Sequence, residues 1–527
     1  MSGQISTNVS NNINSITPWE VRGKVDYYAQ IKQFGTKAVE GELIKRWEKV
    51  TKMKAHTFIR RGLVFSHQDL DKILDCVEQG VPVYVYTGRG PSSPKMHLGH
   101  LIPFKLARYL QQALNCIVVV QLSDDEKYLF KEGNGPEDLE KYRQYGYSNA
   151  KDIIACGFDQ DKTLIFSNLE KNSGSMYFNN ILLMKANNMS TVKATYGLGE
   201  TLPQSVHTFL KEELSREESK DELIRDSAKI DDLRGTLKKF SGSTSSSIGQ
   251  CVWPVFQSSP AFCTSFREVF VPAILNTLKT RQDLPANVVK MLKKVLKELT
   301  TLGATQSMMC LVPMAIDQAP YFRMARDSAP ILRCPKPAVI HSEFLPSLQE
   351  ASGKMSTTCT TGSTGASGAS NANYTLFLDM NIKDVSKVIK KFAFSGGGET
   401  MEEHQKYGGN IKVDVCYQYL MFFLDDDEKL REIARTYTAG TLGSGQLKEF
   451  TANIISNVIS EHQRAKKDVT DSVVKLYFDW SRTLNIGGCF DREDVVLDDD
   501  ETYNRHGINF DRSFGFSSRP KPVQDFV

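Results

Sequence analysis

The sequence predicts an α/β fold, a parallel sheet covered by helices, followed by a mostly helical C-terminal region. Three observations carry this. Short apolar runs of strand character recur at Val81–Tyr86, Cys116–Leu122, Thr163–Phe166, Met308–Pro313 and Ala338–His341. Helical stretches separate several of them, and such alternation favours parallel pairing with crossover helices. Near the C-terminus the spacing of apolar residues becomes helical, with Ile454, Ile455, Val458 and Ile459, then Val473, Val474, Leu476 and Tyr477.

Each element follows in order. Residues 2–15 are polar and Asn-rich, which predicts a flexible arm. Lys24 to Ser66 reads as mixed and helical, and Gln68 to Gln79 as one amphipathic helix. The first strand leads through the small-residue turn Thr87–Ser93 into a helix covering Leu101 to Leu114. Glu200 to Thr244 is densely charged and ends in a Ser-rich run, predicting exposed helices before a linker. Asp283 to Thr301 is punctuated as a helix, with Asp283 near its start, Pro285 in the first turn and Gly303 just past its end. Residues 357–373 are almost all Ser, Thr, Gly, Ala and Asn, with little to bury. Beyond Leu484 the chain turns acidic and polar, as a loosely ordered tail would. The units are therefore an N-terminal arm and helical region (1–80) and an α/β unit (81–356) carrying a charged insertion (200–246). A flexible insertion (357–373), a helical unit (374–480) and a tail (481–527) follow.

Composition narrows the function classes. A hydrophobic fraction of 40% and a charged fraction of 24% are ordinary for a soluble globular protein. A net charge of +3 does not by itself point to a nucleic-acid partner. The ten cysteines include no Cys-x-x-Cys pair, so reduced buried thiols are expected rather than a zinc site or disulfide framework. The longest apolar runs, such as Met308 to Ile316, are too short to span a membrane. The N-terminus has neither the apolar stretch of a secretory signal nor the arginines of a transit peptide, so the expected location is cytoplasmic.

Two short motifs carry chemistry. His97-Leu98-Gly99-His100 stands where a strand and loop give way to a helix, and Gly353-Lys354-Met355-Ser356 follows the last strand-like run. A helix N-terminus presents unpaired N–H groups and partial positive charge to a phosphate. Gly99 lets a nucleotide approach the backbone, and His97 and His100 share one face of a helical turn. Together the motifs predict a site that holds ATP and transfers its AMP portion.

Longer stretches agree in order. Tyr86 to Ser93 with Met96 to His100, Gln121 to Leu129, Pro254 to Gln257, Ala315 to Gln318 with Pro320 to Arg323, and Phe392 to Gly397 resemble the eukaryotic-type tryptophanyl-tRNA synthetases, a class I family. The resemblance runs from about Trp19 to about Trp480. It implies a Rossmann-like catalytic domain, a mostly helical C-terminal anticodon-binding domain and a homodimer. It also implies two-step chemistry on ATP, L-tryptophan and tRNA(Trp), with Mg²⁺ carried on the ATP phosphates and no metal held by the protein. Tyrosyl enzymes are the nearest relatives, and the amino acid that supports ATP chemistry separates the two.

The resemblance also assigns roles by matching position. His97, His100, Arg89 and Lys354 become the catalytic groups, with Gly88, Gly99, Lys127, Asp317, Met355 and Ser356 completing the ATP site. Asp317 reaches the ribose, and Lys354 neutralises the departing pyrophosphate. Tyr86 and Gln121 accept or share the indole N–H, Glu126 binds the ammonium, and Gln257 and Gln318 complete that polar end. The lysine loop departs from the family's Lys-Met-Ser-Lys-Ser and Lys-Met-Ser-Ala-Ser forms, reading Lys-Met-Ser-Thr-Thr over 354–358. The Gly-rich Ser395 to Thr400 matches the family's anticodon-reading segment, and reads equally as a helix-connecting turn.

Overall fold

The computed structural model describes residues 35–131, 135–196, 204–220, 246–349, 355 and 375–489, with short pieces at 31–32, 198 and within 225–237. Seven strands form one sheet: β1 (Lys37–Ala38), β2 (Val64–Gln68), β3 (Val83–Arg89), β4 (Ile117–Leu122), β5 (Thr163–Ser167), β6 (Met309–Ala315) and β7 (Ala338–Ser342). Their spatial order is β1-β2-β7-β6-β3-β4-β5. The pairs from β7 to β5 are parallel, whereas β2 meets β7, and β1 meets β2, antiparallel. This is the Rossmann-like sheet the sequence predicts, with an antiparallel edge added.

Alternation along the strands divides the core between the two faces. Val83 and Val85 of β3, Val118 and Val120 of β4, and Leu311 of β6 point into one cluster with the helix Leu98–Leu114. Tyr84, Tyr86, Val119, Cys310 and Val312 point into the other, with Trp253, Phe266 and the helix Ala286–Thr300. Both faces are dry, so these strands read as nearly continuous apolar runs in the sequence. The C-terminal helices Val415–Phe423 and Ser444–Lys467 join the first cluster through Tyr419, Leu420, Ile455 and Ile459.

The structure changes several sequence expectations. Val64–Gln68 is a strand inside a stretch read as helical. It is short, and its inward polar group is satisfied across the sheet, Ser66 Oγ lying 2.9 Å from His341 Nδ1. The following helix begins only at Leu70, because Asp69 takes a left-handed conformation (φ 60°) that ends the strand sharply. The apolar spacing of Asn453 to Trp480 belongs to two helices, Ser444–Lys467 and Asp471–Phe478, the second capped by the Thr470 side chain. Pro285 stands just before its helix rather than in the first turn. The start of the tail, Leu484 to Cys489, packs against the fold, and residues 490–527 lie outside the described residues. Leu484, Ile486 and Cys489 are buried, Asn485 N donates to Asp161 O (2.8 Å), and Asn115 Nδ2 donates to Gly488 O (3.1 Å). Within the charged insertion the helix Gln204–Glu218 forms as expected. The Ser-rich run at 241–245 and the insertion at 357–373 lie outside the described residues.

Gly396 to Gly398 are built into a turn. Gly396 N donates to Asp414 Oδ2 (2.9 Å) and Gly396 O accepts from Asn410 N (2.7 Å). A Cβ at 396 would collide with the Asn410 carbonyl. The glycines are required by packing, which favours the helix-connecting reading of this segment.

Candidate active site

The sheet changes direction at β3: the chain proceeds outward to β4 and β5 on one side and later returns to add β6 and β7 on the other. Crevices at the carboxyl ends of strands at such a switch point bind ligands. A cavity of about 380 Å³ opens there, between the ends of β3 and β6.

The cavity lining includes Gly88, Arg89, His97, Gly99 and His100, with Asp317 and Met355 from later in the chain. His97 precedes the helix Leu98–Leu114 in extended conformation, and its backbone N–H donates to His100 Nδ1 at 3.1 Å. That bond requires Nδ1 to be the acceptor, so the His100 ring proton sits on Nε2. The two imidazoles stack, centroids 3.5 Å apart. The His97 ring lies over Gly99, where a Cβ would stand 3.1 Å from its Cε1. The glycine thus makes room for the imidazole. The helix start is less open than the sequence implies. Leu98 N donates to Leu376 O (2.8 Å) and His100 N to His97 O (2.9 Å), so side chains carry more of the anion-binding task.

Arg89 carries a buried guanidinium at the end of β3. Its Nε donates to Asn149 Oδ1 (3.2 Å), and Asn149 Nδ2 is fixed on Ser93 O (2.9 Å). Its Nη2 is buried and has no hydrogen-bond partner among the described residues. Burial pushes the guanidinium pKa down to about 10, against the pull of the Glu126 charge. An unpaired buried donor of this kind is costly unless a ligand completes it.

The lysine loop is placed only in part. Met355 is buried against the cavity and donates its N–H to Leu345 O (3.2 Å), whereas Lys354 and Ser356 lie outside the described residues. The chain beyond the insertion returns to the histidine turn. Leu378 N donates to Met96 O (2.9 Å), making an antiparallel bridge of His97 with Phe377. Gln463, on the long C-terminal helix, holds the Leu378 and Met380 carbonyls at 2.8 and 2.9 Å.

The cavity lining also includes Tyr86, Glu126, Lys127, Gln257 and Gln318, with the aromatic side chains of Trp253 and Phe322. Glu126 is paired, Oε1 lying 2.7 Å from Lys127 Nζ and Oε2 accepting from Ser123 Oγ at 3.2 Å. Gln257 Oε1 is buried without a partner among the described residues. Tyr86 is buried, and burial raises its pKa well above the ordinary phenol value, so it stays a neutral hydroxyl. Gln121 does not line the cavity. It sits one layer behind, its Oε1 2.5 Å from Tyr86 Oη. The sequence reading also missed Asn149, Asn168 and Trp253. Trp253 immediately precedes the matched Pro254 to Gln257, but Asn149 and Asn168 stand outside every motif and come into place only through the fold.

Comparison with known proteins agrees with this geometry. The family described as tRNA synthetases class I (W and Y) matches residues 78–209. A cytoplasmic tryptophan–tRNA ligase of Mus musculus is 38% identical over 466 residues, spanning 87% of this chain and 78% of its own length. That of Schizosaccharomyces pombe is 36% identical over 477 residues, spanning 89% and 98%. The crystal structure of Plasmodium falciparum tryptophanyl-tRNA synthetase is similar with a TM-score of 0.65 and 34% identity, covering 87% of this chain and 98% of that one. Agreement at that identity over most of the chain, with the histidine turn and the matched Tyr86, Glu126, Gln257 and Gln318 lining one cavity, places this chain in the class I tryptophanyl-tRNA synthetases of eukaryotic type.

Proposed function

We infer that the chain is a tryptophan–tRNA ligase. It joins L-tryptophan to ATP, forming tryptophanyl-adenylate and pyrophosphate. It then passes the tryptophanyl group to the 2′-hydroxyl of the terminal adenosine of tRNA(Trp). The observation that carries this is the cavity itself: its lining includes both Arg89, whose buried Nη2 has no hydrogen-bond partner among the described residues, and Gln257, whose buried Oε1 has none there either. One suits a phosphate oxygen and the other an ammonium.

The attacking carboxylate is already anionic, so the protein positions and stabilises charge rather than supplying a nucleophile. Arg89, His97 and His100 donate to the α- and β-phosphate oxygens as charge builds on them. Lys354 takes up charge on the departing pyrophosphate, and Asp317 accepts from the ribose. Mg²⁺ accompanying ATP would be held by the nucleotide rather than by a protein cage and would supply charge neutralisation beside Arg89, His97, His100 and Lys354. At the amino-acid end Glu126, Gln257 and Gln318 receive the ammonium, with Lys127 exchanging its contact on Glu126 for the nucleotide. Tyr86, backed by Gln121, receives the indole N–H. The location is the cytoplasm, where the named relatives act, and no described helix is long and apolar enough to cross a membrane.

The test is amino-acid-dependent ATP–pyrophosphate exchange without tRNA, followed by charging of tRNA(Trp). Exchange with tryptophan and not with tyrosine or phenylalanine is expected. Exchange driven by tyrosine would move the chain to the sister specificity.

The functional unit we propose is a homodimer. On the helix Gly174–Ala186, Tyr177, Phe178, Ile181 and Leu182 lie at i, i+3 and i+4 spacing and are 38–53% exposed. Such an apolar face suits a self-complementary interface. Phe178→Glu with Ile181→Glu is expected to halve the mass measured by light scattering; an unchanged dimer would place the interface elsewhere.

A further inference from the structure

Behind Tyr86 runs a chain of buried hydrogen bonds whose direction is fixed at both ends. Gln121 Nε2 lies 2.9 Å from Phe256 O and 2.8 Å from Asn168 Oδ1. A backbone carbonyl only accepts, so the amide nitrogen of Gln121 must face it and the amide oxygen must face Tyr86. At the far end the Trp253 indole N–H, which only donates, lies 3.2 Å from Asp125 Oδ1. The same oxygen accepts from Asn168 Nδ2 at 2.9 Å. Asn168 is therefore oriented too, oxygen toward Gln121 and nitrogen toward Asp125. It is held in place by its neighbours, since Asp124 accepts from Leu169 N (3.3 Å) and from the Ser167 hydroxyl.

The order sets the polarity of the Tyr86 hydroxyl. It has one proton and two acceptors behind it, Gln121 Oε1 at 2.5 Å and Gln257 O at 2.9 Å. Whichever takes the proton, the lone pairs of Tyr86 Oη remain for the cavity. A flipped Gln121 amide would instead donate into those lone pairs. We propose that Asn168 and Asp125 are positioning residues for amino-acid selection, locking the Gln121 amide so that Tyr86 presents an acceptor to the ring N–H of the substrate. This deepens the placement of the indole at Tyr86 and rests on it. Burial, with repulsion from Asp124, pushes the Asp125 carboxyl up to about 7 against its hydrogen bonds from Asn168 and Trp253. The relay tolerates either protonation state, because Oδ1 accepts in both.

The experiment compares kcat/KM in pyrophosphate exchange for tryptophan and for its benzothiophene isostere, in which sulfur replaces the ring N–H. The wild type is expected to prefer tryptophan by about tenfold or more, the difference one hydrogen bond makes. Asn168→Leu removes one of the two acceptors that hold the Gln121 amide, leaving only Phe256 O, and is expected to lower that preference measurably, with KM for ATP unchanged. Asn168→Asp keeps an acceptor facing Gln121 and, by sharing one proton with the Asp125 carboxyl, keeps the bond to it, so it is expected to retain the preference. General damage to the fold would slow both substrates alike and leave the ratio intact. A folded Asn168→Leu with the wild-type ratio would overturn the relay. No preference in the wild type would instead overturn the placement of the indole. Should Asn168→Leu fail to fold, Asn168→Ser, whose hydroxyl is too short to reach Gln121, is read by the same two outcomes.

Discussion

Replacing Asp427 with alanine is expected to destabilise the protein by about 3–5 kcal/mol, the cost of stripping the partner from buried charges. Asp427 opens the helix Asp427–Thr438 and receives two arginines from the segment before β2. Arg60 Nη2 lies 2.7 Å from Oδ2 and Arg61 Nε 2.7 Å from Oδ1. The Arg61 side chain is fully buried, and its Nη1 is spent on Met421 O at 2.8 Å. Alanine leaves that guanidinium without a counter-charge in the interior, where the C-terminal helices meet the α/β unit. Burial raises the Asp427 pKa, but the Arg61 charge and the Arg60 hydrogen bonds outweigh it, leaving the carboxyl below its ordinary value. A depressed carboxylate contributes stability above its unfolded pKa of about 4, and that contribution is lost as pH falls through the folded value. Urea unfolding at pH 7 and in acid checks both points. The gap between wild type and variant is expected to be wide at pH 7 and to narrow at low pH. Equal stability at pH 7 would show that the two arginines find other partners.

Arg89→Met is expected to separate activity from stability. Loss of the buried donor at the phosphate end is expected to lower kcat for pyrophosphate exchange by about 10²–10³-fold, as removal of one preorganised donor does elsewhere. The melting temperature is expected to stay level or rise, because a methionine of similar volume needs no counter-charge. Calorimetry and exchange kinetics on one preparation decide it. An active variant would take Arg89 out of the phosphate site. A variant that loses activity and stability together would make Arg89 a structural residue.

Much of this was legible in the chain. The five parallel strands stand out because each is buried on both faces and so appears as an unbroken apolar run, and β3 with the histidine turn sits where a crevice forms in such a sheet. The residues with chemistry lie within matched local motifs, and Tyr86, Arg89, His97, His100, Glu126, Gln257 and Asp317 all line one cavity. β2 escaped notice because a five-residue strand with polar inward groups has no periodicity to show. The ordered tail escaped because three buried side chains between Leu484 and Cys489 make no pattern until the surface they cover is known.

By itself, then, the sequence determined the order of the parallel strands with the helices between them and named the candidate site residues, since both are written in local composition and spacing. Tertiary structure alone decided the polarity of those groups. Gln121 lies behind Tyr86 rather than in the cavity, Arg89 keeps one donor without a partner among the described residues, and Asn168 connects through Asp125 to Trp253 across the fold. Hydrogen-bond direction depends on which obligate donor or acceptor stands at the far end of a chain of side chains. In this site those ends, Phe256 O and Trp253 Nε1, are more than 80 residues away in sequence from Asn168 and more than 120 from Gln121 and Asp125.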